Sequence, residues 1–331
     1  MRVALLLIGV FFGLRVMAQQ PEHKKLIMQG EYAAATTHLE KALAAAPNDL
    51  SLLKDKLFLQ FLQRDFAGAI ELGKQLIERN DADFQVFQQL GLTYAAIADY
   101  KEAEKLYIKG IQRFPTSGVL YADYGAMLQA AGKKAEAIVQ WEKGIATDPN
   151  YPGNYFFAVK HYALAEDWFP VMLYGELFLN LESFSQRTTE IKNLLYESCK
   201  RIFSLSDMLQ VIPASRKPTA FEKAVLGNFN KFGSMIREGV TPEVLTAIRT
   251  RFLLSWMQSD LNKQFPFELF QHLNQLLREG HFDAYHQWLF GMVASPSAYQ
   301  IWLNNHDTEV EKFKKYQRSN LFKIPAGQYY R

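Results

Sequence analysis

The sequence predicts an all-α chain built from stacked helical hairpins. Three observations carry this reading. Apolar residues recur at helical spacing along most of the chain, no alternating strand pattern occurs, and the stretch 84–149 repeats itself at a shift of 34 residues. In that overlay Phe87 falls on Tyr121, Leu90 on Tyr124, Gly91 on Gly125 and Tyr94 on Leu128. Further along, Ala103 falls on Ala137, Tyr107 on Trp141, Gly110 on Gly144 and Pro115 on Pro149. A fixed period carrying two helical patterns is the mark of a repeat array.

Each residue class in the period has a physical reason. Gly91 and Gly125 on the first helix, with Ala103 and Ala137 on the second, mark a close crossing of the two helices. A bulky side chain there would overpack the crossing at roughly 1–3 kcal/mol. Pro115 and Pro149 stop the second helix, because proline lacks an amide and its ring clashes with the preceding turn. Asp148 and Asn150 around Pro149 supply turn chemistry before the next helix.

This pattern resembles the tetratricopeptide repeat (TPR), a 34-residue helix-turn-helix unit. The same register places Tyr32, Ala35, Leu39, Ala42 and Pro47 on the second helix of an earlier unit. Another unit runs over 50–83 with Leu53, Leu57, Phe66, Ala69 and Leu76 in place, departing at Gly73 and Asp81. A fifth runs over 152–183 with Tyr155, Tyr162 and Trp168, and has Pro170 inside its second helix and Val171 at the small position. The resemblance covers roughly half the chain and implies a right-handed α-solenoid that binds on its concave face, lined by first helices. In the family register the lining residues are Lys54, Phe58, Phe61, Gln85, Gln88, Leu92, Ala122, Ala126, Gln129, Phe156 and Lys160. Such a groove is small, apolar and amide-rich, and suits an amphipathic helix or an extended apolar peptide. Two occupants are open: a protein or peptide partner, or the chain's own C-terminal helices.

Composition fits a folded scaffold. The chain has 331 residues, 14% aromatics and a formal charge of +3 with no basic block, which argues against nucleic-acid binding. Arg2, the apolar run Val3–Leu14 and the small Ala18 read as a signal peptide over residues 1–18, so export to the periplasm or outside the cell is expected. No later stretch is long and apolar enough to span a membrane. Cys199 stands alone in a helical pattern and reads as a small buried apolar residue.

The five repeat units are expected over 19–183 and a helical C-terminal region over 184–331. In the latter, helices are expected at 186–204, 219–236, 242–259, 266–279, 281–293, 296–304 and 307–318. Ser183 or Ser185 is the candidate cap of the first. Thr241-Pro242 and Ser295-Pro296 place a capping residue before a first-turn proline, and Gly280 is a helix stop. Gly280, Phe282, Tyr285 and Leu289 echo Gly132, Lys134, Ala137 and Trp141, with Tyr285 splaying the hairpin. Residues 204–218 read as a loop and a break, and 322–331 as irregular.

No stretch reads as an active site. His281, Asp283 and His286 are the one tight set of ligand-type residues, but the two histidines are five apart and do not share a helical face, whereas Asp283 and His286 can. No phosphate loop, nucleophile elbow or pairable carboxylates are found, so neither catalysis, a metal nor a cofactor is expected. A different class of reading puts an enzymatic or glycan site where the repeats meet the C-terminal helices, near His161, Trp168, Tyr174, His272, His281 and His286.

Overall fold

The computed structural model describes residues 21–236 and 239–328, and every regular element among them is helical. The expected signal segment and its cleavage point lie outside the described residues. The chain divides into two compact units, one ending at Asp99 and one beginning at Tyr100.

The first unit holds α1 (Glu22–Gln29), α2 (Tyr32–Ala45), α3 (Leu50–Leu62), α4 (Phe66–Ile77) and α5 (Phe84–Ala96). Aspartates start three of these helices by accepting first-turn amides: Asp49 from Leu52 N at 3.0 Å, Asp65 from Gly68 N at 3.0 Å and Asp83 from Gln85 N at 3.1 Å. Leu26, Ala35, Leu39 and Leu59 form one buried cluster, and Leu57, Ala69, Leu76, Ala82 and Val86 another. The departure at Gly73 is explained by its neighbour. A Cβ there would stand 2.9 Å from Leu90 Cδ1, so a large side chain on α5 fills the space that α4 leaves. At the other departure, Asp81 takes two hydrogen bonds from Arg79, which also reaches the Asn48 carbonyl at 2.9 Å and so pins the turn without proline.

The second unit continues with α6 (Tyr100–Arg113), α7 (Gly118–Ala130), α8 (Lys134–Thr147), α9 (Pro152–Leu164), α10 (Trp168–Leu181) and α11 (Thr188–Phe203). Then come α12 (Ala220–Asn230), α13 (Pro242–Gln258), a short α14 (Leu261–Gln264), α15 (Glu268–Arg278), α16 (Phe282–His286), α17 (Met292–Ala294), α18 (Pro296–Asn305) and α19 (Asp307–Ser319). Pro170 is the third residue of α10, where its missing amide has no intrahelical partner in any case, so the helix persists.

The period is written into the backbone. Gly30, Arg64, Ala98, Gly132 and Glu166 each adopt a left-handed φ, between 53° and 84°, and they stand 34 residues apart. Each follows the first helix of a pair. The next amide then reaches back to the carbonyl five residues earlier, as Lys133 N does to Leu128 O at 2.9 Å and Asp167 N to Tyr162 O at 3.0 Å. Gly280 repeats the device with φ 74° and a bond from His281 N to Leu276 O at 2.8 Å.

Most C-terminal helix starts follow the expected chemistry. Thr241 and Ser295 cap α13 and α18 ahead of their prolines, and Thr219 with Glu222 closes a capping box on α12. Three expectations are corrected. The cap of α11 is Arg187, while Ser185 accepts the Arg187 amide outside the helix. The helix from 219 ends at Asn230 and is followed by a separate 3-10 turn at Gly233–Met235. Residues 204–218 are not a break: Met208–Val211 form a 3-10 turn whose Met208 and Val211 are buried, and Arg216 ties the segment down to Asp167 and Glu222. Between α16 and α17 the chain widens into a π-helical turn, Gln287–Gly291. Phe221, Phe229, Phe252, Trp256 and Phe270 make an aromatic core for this region, with Phe229 and Phe252 stacked at 3.9 Å.

Candidate functional site

In the first unit, Phe58 and Phe61 on α3 and Leu92 on α5 are half-buried. Phe61 meets the Phe66 ring edge-on at 6.0 Å. Lys54 does not present a free charge, since its Nζ donates to Asp83 Oδ2 at 2.5 Å and to Gln85 Oε1 at 2.7 Å. The Asp83 carboxylate that caps α5 thus also ties α3 to it. Gln85 is exposed and Gln88 half-buried. These first helices show an apolar strip edged with amides.

In the second unit the residues of the same register divide. Gln129 is exposed and Ala126 half-buried, but Ala122 and Phe156 are core. The Ala122 carbonyl accepts from Trp141 Nε1 at 3.1 Å. The Phe156 ring lies between two cations, with Arg187 at 4.7 Å and Lys160 at 4.9 Å. Lys160 pairs with Glu190 at 2.8 Å, and Arg187 with Glu182. The start of α11 therefore covers Phe156.

The C-terminal helices bury the second helix of the last pair. Between Phe169 and Leu179, every residue of α10 is buried. Glu176 on α10 receives Arg249 Nη2 of α13 on both oxygens at 2.5 Å, and the Tyr285 hydroxyl of α16 at 2.7 Å. Asn180 donates to that hydroxyl at 2.8 Å. Arg249 Nη1 lies 3.1 Å from His286 Nε2, while His286 Nδ1 lies 2.7 Å from the Phe282 carbonyl, which makes Nδ1 the protonated nitrogen. Burial, with the Arg249 charge beside it, holds the His286 pKa well below the ordinary histidine value. The Tyr285 ring is buried and its hydroxyl completes the network.

This network is closed, and its members satisfy one another. Asp283 is exposed and His286 buried, so the two do not face each other as expected, and His281 lies against Tyr316 at 4.9 Å. The other junction residues fall into separate groups. Tyr174 and Tyr162 both donate to Glu142, at 2.8 Å and 2.5 Å, with His161 edge-on to Trp141. Trp168 lies under Arg201, and His272 against Phe322 at 5.0 Å. Among the described residues no cluster of three or more His, Cys, Asp or Glu is placed to hold a metal ion. Cys199 is buried, and burial pushes its thiol up to about 12. Lys192 is desolvated, which lowers its pKa to about 8; its ammonium sits 4.3 Å over the Trp288 ring and donates to the Trp288 carbonyl in the π-helical turn. Sequence reading missed Glu176 and Arg249, which stand 73 positions apart and carry no local signature.

No helix among the described residues is long and apolar enough to cross a membrane. No family model matches the chain, and no curated protein matches it. Among solved structures, a thermophilic TPR protein from Thermus thermophilus is similar at 18% identity, covering 52% of this chain and 95% of its own, with a TM-score of 0.45. MamA is similar at 19% identity, covering 50% of this chain and 96% of its own, with a TM-score of 0.39. Both likenesses concern the fold over about half of this chain.

Proposed function

We propose that this chain is an exported scaffold that docks a segment of a partner protein on the first-helix faces of its hairpins, without chemistry of its own. The observation that carries this is the half-buried strip of Phe58, Phe61 and Leu92, edged by Gln85 and Gln88. First helices that served only the core would turn polar residues outward along this line. An apolar strip at helical spacing with few unpaired charges takes the apolar face of a helix or an extended apolar segment. Export rests on the signal-like residues 1–18, whose cleavage after Ala18 would leave Gln19 as the first residue.

The test is capture from envelope extract by the mature chain, beside a Phe58→Ser/Leu92→Ser variant whose helical circular dichroism is checked. The expected result is a protein retained by the wild type and lost from the variant. Equal retention by both would overturn the groove. Terminal sequencing of the exported chain tests the rest, and a start other than Gln19 would refute the cleavage.

A further inference from the structure

Residues 321–325 lie outside any helix and alternate in burial as a bound peptide does, before a turn at 326–327. Lys323 and Pro325 face solvent, while Phe322 is half-buried and Ile324 is 4% exposed. The chain is held by its backbone. Asn150, in the turn between α8 and α9, donates its amide Nδ2 to the Ile324 carbonyl at 2.9 Å and accepts the Ile324 amide on Oδ1 at 2.8 Å. One side chain thus reads both polar groups of a single residue, which leaves the reading indifferent to side-chain identity. The Ile324 side chain borders an apolar cavity of about 30 Å³ walled by Ile145, Tyr155, Leu173, Tyr174 and Phe221. Gly327, at φ 83°, turns the segment so that Gln328 Oε1 accepts the Glu268 amide at 2.6 Å. That amide opens α15, whose own N-cap, Phe267, offers no side-chain acceptor.

We propose that this is a peptide-docking slot occupied by the chain's own strap, and that it accepts in trans an extended protein segment with an aliphatic residue followed by proline. The chemistry of the partner is set by what the strap shows: backbone pairing at Asn150, an aliphatic side chain against the cavity, and an exposed proline that holds the preceding residue extended. Glu222, also on the wall, already takes Arg216 and the Thr219 amide on its carboxylate, and the other walls named are apolar or aromatic, so an aliphatic side chain is favoured over a charged one. The slot is separate from the first-helix strip and stands without it. Because the strap is tethered, it competes at an effective concentration of about millimolar, so a free peptide displaces it only near that range.

The probe is a synthetic fluorescein-labelled peptide of residues 318–328, titrated into the full chain. Ile324→Ala in the full chain weakens the strap, and this variant should bind the peptide at least about ten-fold more tightly than the wild type, as expected when a tethered competitor is loosened. Adding Asn150→Ala should abolish that binding, and a peptide carrying the same Ile→Ala change should not bind. No binding by the Ile324→Ala chain, or binding indifferent to Asn150→Ala, would overturn the proposal. A second measurement uses the unaltered chain: peptide at several millimolar should raise hydrogen exchange over residues 321–328, and unchanged exchange would likewise overturn it.

Discussion

Trp141 fills the notch that Gly125 leaves. A Cβ on Gly125 would stand 2.2 Å from Trp141 Nε1, the nitrogen that donates to the Ala122 carbonyl. Helix propensity alone would favour Gly125→Ala by up to about 1 kcal/mol, yet the ring is locked in the core and cannot retreat. The variant should lose roughly 1–3 kcal/mol. Gly227, also inside a helix, has nothing within 4 Å of its missing Cβ. Gly227→Ala should therefore gain about 0.5–1 kcal/mol. Urea titration of the two variants checks the opposed signs.

The left-handed turns make a second pair of opposed outcomes. Ala98 holds φ 59° at the position where Gly132 holds 84°. Ala98→Gly should stabilise the chain by about 1 kcal/mol, the cost of a non-glycine residue in that region. Gly132→Ala should destabilise it by a similar amount. Thermal melts showing no difference between the two would contradict the shared turn.

Ala103 and Ala137 are fully buried where the paired helices cross, whereas Lys143 is exposed. Ala103→Trp and Ala137→Trp should each lower the melting temperature by many degrees, and Lys143→Trp should leave it nearly unchanged. A tryptophan cannot be housed at native packing density without moving a helix.

Arg249→Met leaves the Glu176 carboxylate buried with one donor, the Tyr285 hydroxyl, and without the counter-charge whose Nη2 spans both its oxygens. Breaking a buried pair from one side costs about 3–5 kcal/mol. Changing both partners, Glu176→Leu with Arg249→Met, should cost less than the sum of the two single changes. A double-mutant cycle in urea reads that coupling, and simple additivity would show that the pair does not act as a unit.

Stability should also fall in mild acid. Burial lowers the pKa of His272 to about 4 and that of His286 well below its ordinary value. The unfolded chain takes up protons on both from about pH 6.5 downward while the folded chain does not, so stability is intact above that pH and declines below it. The slope is about 1.4 kcal/mol per pH unit for each histidine. His272→Asn should make the melting temperature less sensitive between about pH 7 and pH 5, the window below the unfolded histidine pKa; an unchanged slope would contradict the burial of this ring.

How far the sequence could be read depends on the range of the interaction. Hairpins, turns and most C-terminal helix starts are local events, so Gly125, Ala137, Thr241-Pro242 and Gly280 announce them in a few residues. Gly73 looked like a flaw in its unit because its reason, Leu90, sits on the next helix. Asn150 read as turn chemistry, and nothing near it hints at Ile324, 174 positions away. Arg216 sits in a segment read as a break. It bridges Asp167 at 2.7 Å and Glu222 at 2.7 Å, a docking visible only once α10 and α12 are placed. Of the register positions assigned to the groove, Ala122 and Phe156 fall in the core: Trp141 of α8 reaches the Ala122 carbonyl, and Arg187 at the start of α11 lies over the Phe156 ring.

The docking claim is tested most directly by photo-cross-linking with p-benzoylphenylalanine placed singly at exposed positions of the chain. Gln85 and Gln129 lie on first helices, Lys109 and Lys143 on second helices, and all four are exposed. The account predicts a cross-linked protein from positions 85 and 129 and none from 109 and 143. Cross-links confined to 109 and 143, or equal at all four, would contradict it.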